Sequence, residues 1–69
     1  MERKDFEAMT LAEVSGRADA EGPPEHGKPK HYDRPWTQLR DEMVAGGAAT
    51  IDDLTSTRVD LFYNLTRSD

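Results

Sequence analysis

The sequence predicts an all-α fold, a small three-helix domain with a Pro/Gly-rich loop between its first and second helices. Three observations predict it. Cap-forming residues stand ahead of three stretches, at Thr10, Asp33 and Thr50. The apolar residues behind each cap recur at helical spacing. No stretch alternates apolar and polar residues as a half-buried strand does. The helices are expected near residues 10–20, 33–46 and 50–66.

The first helix opens at Thr10-Leu11-Ala12-Glu13, a capping-box pattern. In it the threonine hydroxyl accepts a backbone N–H three residues on, and the acid reaches back to the cap. Leu11, Val14 and Ala18 then share one face. Phe6 and Met9 form either a preceding turn or a staple against that face. Gly16 weakens the interior, so the helix is expected to be short. Gly22-Pro23-Pro24 ends it, because proline cannot donate and restricts the residue before it. Gly27 and Pro29 continue the break, which makes 21–31 a loop. Its prolines stiffen it. A stiff exposed segment loses little entropy on docking, which suits a partner surface as well as a plain connector.

Asp33 is the expected cap of the second helix, with Pro35 in the first turn, where a missing N–H costs nothing. Trp36, Leu39, Met43 and Val44 form its apolar face, and Gly46-Gly47 stops it. Thr50-Ile51-Asp52-Asp53 opens the third helix with acids at the positive end of the helix dipole. Ile51, Leu54, Leu61, Phe62 and Leu65 fall on one helical face, with Val59 and Tyr63 off it. The hydroxyl-rich run Thr55-Ser56-Thr57 is a place for this helix to break or start late. No internal repeat stands out.

Composition limits what such a chain does alone. Its 69 residues make one domain, 1–69. A chain of this size buries only about 60% of its unfolded surface. It has no cysteine, so neither a disulfide nor a thiolate-held metal reinforces it. Apolar residues are 35%, charged residues 33% and mean hydropathy is −0.86, near the border of order and disorder. An obligate partner answers that problem, because docking buries surface the monomer cannot. The net charge of −5, from 14 acids and 9 bases, argues against a nucleic-acid partner. No apolar run approaches the ~20 residues of a membrane span. Met1 to Asp5 is charged and leads into no apolar signal-peptide core, so the expected location is cytoplasmic.

Few residues are candidates for chemistry. His26 and His31 stand in the Pro/Gly loop without a metal-ligand spacing. Asp52-Asp53 and Asp41-Glu42 are neighbours that point about 100° apart on a helix, so they do not converge as acid and base. Ser15, Ser56 and Ser68 have no evident base. His31, Tyr32 and Trp36 gather around the second helix start. They suit a pocket wall or an interface, because aromatics carry area and a polar handle. The indole of Trp36 suits a core equally well.

The order Tyr32-Asp33-Arg34, Met43-Val44, Gly47, Thr50, Asp52-Asp53-Leu54 resembles the N-terminal helical part of nitrile hydratase β subunits. There a Tyr-Tyr-Glu-Arg-type segment leads through Met-Val-x-x-Gly to Thr-x-Asp-Glu-Leu. Upstream, Leu11-Ala12-Glu13-Val14-Ser15 stands for a Leu-Asp-Glu-Phe-Arg-like helix. Glu21 to His26 stands for a Met-x-Pro-x-Glu-Tyr loop. The likeness runs without a gap over roughly residues 9–56. A conventional β subunit continues into a β-barrel. Three-subunit relatives, the toyocamycin type of nitrile hydratase and thiocyanate hydrolase, divide it into two chains.

The resemblance implies a subunit, not catalytic alone, of an enzyme that adds water to a nitrile to give an amide. Its partners would be a Cys-rich α-type subunit and a separate C-terminal β-type subunit. The α-type subunit would carry cobalt(III) or iron(III) in a claw of partly oxidised cysteines, and this chain would hold no cofactor. His31 and Tyr32 inherit by position a place in the substrate-pocket wall, with Trp36 beside them. Ser15 stands where the family has an arginine that hydrogen-bonds the oxidised cysteines, which leaves Arg17 and Arg34 as the nearby guanidinium donors. A chaperone that helps load the α subunit's metal, and a small acidic interaction protein unrelated to catalysis, are the alternative readings.

Overall fold

The computed structural model describes residues 1–21 and 35–67. Among them the chain is all-α. Helix α1 spans Arg3–Glu7, α2 Leu11–Glu21, α3 Pro35–Gly46 and α4 Ser56–Thr66, with a 3-10 turn at Ile51–Asp53 between α3 and α4. No described helix is long and apolar enough to cross a membrane. The expected cap at Asp33 lies outside the described residues.

Two of the expected helices stand nearly where their signals put them. In α2, the Thr10 hydroxyl accepts the Glu13 N–H at 3.3 Å. Val14 and Ala18 face inward and Leu11 is half-buried. Gly16 does not shorten this helix, which runs to Glu21. The position is solvent-exposed, and the cost of a helical glycine, about 1 kcal/mol, is one that packing on either side absorbs. α3 ends as its glycines predict. Gly47 has φ +69°, and its N–H donates to the Val44 carbonyl at 3.2 Å, while the Ala48 N–H donates to the Met43 carbonyl at 2.8 Å. That pair of bonds is the Schellman stop, and buried Ala48 adds the accompanying apolar contact.

Two differences concern the ends of the chain. Residues around Phe6 form a helix of their own, α1, instead of a bare turn. Five residues are too few to hold a helix in water. Tertiary contacts hold this one. Phe6 is fully buried, with its ring 6.3 Å from Trp36 and 5.3 Å, edge-on, from Tyr63. Arg3 bonds Glu7 at 2.7 Å and Asp60 on α4 at 2.6 Å, and the Tyr63 hydroxyl donates to the Met1 carbonyl at 3.1 Å.

The third expected helix is divided. After one 3-10 turn, Leu54 is extended at φ −80°, ψ 165°, and α4 starts afresh from Thr55, whose hydroxyl accepts the Arg58 N–H at 3.4 Å. The hydroxyl-rich run does mark the break. Its consequence for packing overturns the expected face. Extended residues reset the helical phase, so Val59 and Phe62 point into the core, while Leu61 and Leu65 are each 43% exposed. Val44 is likewise 61% exposed and not part of the α3 core face, which is Leu39 and Met43.

The core gathers Phe6, Met9, Val14, Leu39, Met43, Ile51, Val59 and Phe62 into one cluster. α2 and α3 form its principal helix pair. An antiparallel bridge, Thr10 to Thr50, fastens the two chain segments that lead into α2 and into the 3-10 turn. The Leu11 N–H donates to the Ala49 carbonyl at 2.9 Å, and the Ile51 N–H to the Met9 carbonyl at 3.0 Å. The paired segments read Thr10-Leu11-Ala12-Glu13-Val14 and Thr50-Ile51-Asp52-Asp53-Leu54. Each is threonine, apolar, any residue, acid, apolar. The fold makes the two copies of this cap pattern neighbours.

Candidate functional site

Of the residues singled out as site candidates, His31, Tyr32 and Arg34 lie outside the described residues. Arg17 and Trp36 lie within them, and the fold brings these two together. The Arg17 guanidinium sits 5.0 Å from the centroid of the Trp36 ring. Helix α2 supplies the arginine on its outward side, and α3 supplies the indole in its first turn. Glu13, one turn earlier on α2, stands 3.9 Å from the Arg17 guanidinium. This cation–π contact at an exposed position contributes about 0.5–1 kcal/mol. Its greater effect is to orient the guanidinium, which keeps N–H groups at its edge for an acceptor. The Trp36 ring is half-buried and its inner side rests near Phe6, so it is both core and surface.

Glu21 builds the floor of this end of the molecule, and sequence reasoning placed it only at the head of a loop. One carboxylate oxygen accepts the Trp36 N–H at 3.1 Å. The other accepts the Thr37 N–H at 3.1 Å and the Thr37 hydroxyl at 3.0 Å. A carboxylate at the last residue of α2 is at the wrong end of that helix's dipole. It is at the right end of α3, whose first N–H groups need acceptors. That local misfit was the available signal, since an acid at a helix C-terminus is more at ease when its partner belongs to another helix. The same end carries the Arg40–Asp19 pair at 2.9 Å between α3 and α2. The chain therefore leaves α2 at Glu21 and rejoins α3 at Pro35 with its two ends fastened together.

A separate groove of about 420 Å³ lies between the end of α3 and the start of α4, lined by Glu42, Ala45, Ala48, Asp53, Leu54 and Arg58 among others. Neither Arg17 nor Trp36 lines it, whereas Glu42 and Asp53, one from each acidic pair weighed in the sequence, do. Its carboxylates have structural work. Glu42 is 3.8 Å from Arg58. Asp53 accepts the Thr50 N–H at 3.0 Å and the Ala49 N–H at 2.9 Å. Those bonds, Thr50's first and then Ala49's, hold the Asp53 carboxyl below its ordinary pKa of 3.8. Among the described residues, no group of three or more metal-ligating side chains converges.

The described residues form a small all-α domain that carries, at one end, an arginine laid on a tryptophan beside a carboxylate-capped helix start. Compared with protein-family models, with curated proteins and with solved structures, the chain matches none of them.

Proposed function

We propose that the chain is the small β-type subunit of a nitrile hydratase of the split-subunit kind, a subunit that packs on a Cys-rich, metal-bearing α-type partner and shapes its pocket. No family match supports this reading. Its support is the ungapped order of motifs over residues 9–56 and one structural observation, the meeting of Arg17 and Trp36 at the end where residues 22–34 leave and rejoin the helices. His31, Tyr32 and Arg34 fall between Glu21 and Pro35 in the sequence, outside the described residues.

The role proposed for this surface is recognition. Stacked on the indole, Arg17 presents fixed donors, which suits an oxygen-rich acceptor on the partner better than a mobile lysine would. Tyr32 and His31 would contribute to the substrate-pocket wall. In this reading cobalt(III) or iron(III) resides in the partner, and hydration of the nitrile occurs there. A separate chain would supply the C-terminal β-type part.

The test is reconstitution. The Cys-rich subunit is purified with and without this chain, and metal content and nitrile hydration are measured. Activity or stability of the mature holoenzyme that depends on this chain supports the subunit reading. A requirement confined to metal loading supports the chaperone alternative instead. A holoenzyme that neither binds the chain nor changes in its presence defeats both. Tyr32→Ala and Arg17→Gln are expected to weaken turnover or assembly, and Asp69→Ala to leave both unchanged.

A further inference from the structure

We draw no further inference here: the strongest candidate, the outward face of α4 that carries exposed Leu61 and Leu65, is an unpartnered apolar face, and nothing in the structure shows what covers it.

Discussion

The segments that start at Thr10 and at Thr50 carry the same five-residue pattern and pair with each other, yet they build different structures. The first launches an eleven-residue helix, α2. The second yields one 3-10 turn and stops. The caps themselves differ in which half of the box is strong. At Thr10 the hydroxyl holds the Glu13 N–H, and the longer Glu13 side chain lies along the helix toward Arg17. At Thr50 the shorter Asp53 folds back onto two backbone N–H groups, Thr50 and Ala49. The residues beyond each cap decide the rest. Val14 leads into a stretch that stays helical through Ala18. Leu54 leads into Thr55-Ser56-Thr57, whose hydroxyls compete for backbone groups and favour a new cap over continuation. A cap motif fixes where a helix begins. The next turn of residues fixes whether it continues.

The comparison is sharpest in the core. Ile51 and Leu11 occupy the same place in the two segments, but Ile51 is fully buried and Leu11 only half-buried. Ile51→Ala is expected to cost about 2–5 kcal/mol, the usual range for a large-to-small change in a packed core. Leu11→Ala should cost roughly 1–1.5 kcal/mol, about half the full-burial value. At roughly 0.05–0.15 kcal/mol per residue, a chain of 69 residues has only about 3–10 kcal/mol in all, so the first change endangers folding. Urea unfolding of the two variants measures the difference. Equal costs would mean that the two segments are equivalent in the core and that the burial difference is unimportant.

The stops differ as well. α1 ends at Ala8 in ordinary right-handed conformation, whereas α3 needs a left-handed residue at Gly47. Gly47→Ala is expected to destabilise by about 1–2 kcal/mol, the cost of placing a Cβ in that region. Its neighbour Gly46 is the last helical residue, with open space around an added Cβ, so Gly46→Ala should gain about 0.5 kcal/mol. Thermal melts of the adjacent pair give opposite signs if the Schellman stop ends α3 in solution. The same sign for both would break it.

How much of this was legible depends on which forces are local. The starts at Thr10 and Thr50 and the stop at Gly47 were readable because cap and φ preferences act within a few residues. The phase of α4 was not. The face through Leu61 and Leu65 is correct for an unbroken helix from Ile51, and two extended residues at Leu54 and Thr55 were enough to turn Val59 inward in their place. The hydroxyl run signalled a break but carried no information about the angle across it. At the candidate site, Arg17 and Trp36 were each visible, but their contact depends on how α2 and α3 pack, which neither residue's neighbours encode. Glu21 was legible only as a misfit, and its job became visible with the start of α3 beside it.

Glu21 tests a third way of starting a helix, a cap supplied from another helix. Glu21→Ala removes the acceptors of the Trp36 and Thr37 N–H groups and is expected to cost about 1 kcal/mol, as loss of an N-cap does. Glu21→Gln keeps one acceptor oxygen and should recover part of the loss. Amide hydrogen exchange at Trp36 and Thr37 reads the effect directly, with faster exchange in the alanine variant. Unchanged protection there would mean that the cap is redundant.

The smallest expected effect is one of pH, and it separates the acids at the fourth position of the two segments, Asp53 and Glu13. Asp53, bound by two backbone N–H groups, has a folded-state pKa below the ordinary 3.8. A depressed carboxyl pKa stabilises the fold while the group is ionised in both states. That contribution is present above pH 3.8 and is lost as pH falls through the lower folded-state value. Asp53→Asn should therefore be less stable than the parent chain at pH 6, and the gap should narrow only once pH drops below 3.8. The exposed position and salt screening keep the gap small. Glu13→Gln provides the control, because its carboxylate faces Arg17 while its own N–H, not its side chain, makes the cap bond to Thr10. Denaturant midpoints for both variants from about pH 2 to pH 6 measure the two gaps. A gap for Asp53→Asn that does not narrow with acid would mean that its carboxylate charge does not hold the Thr50 turn, and that the threonine alone starts both segments.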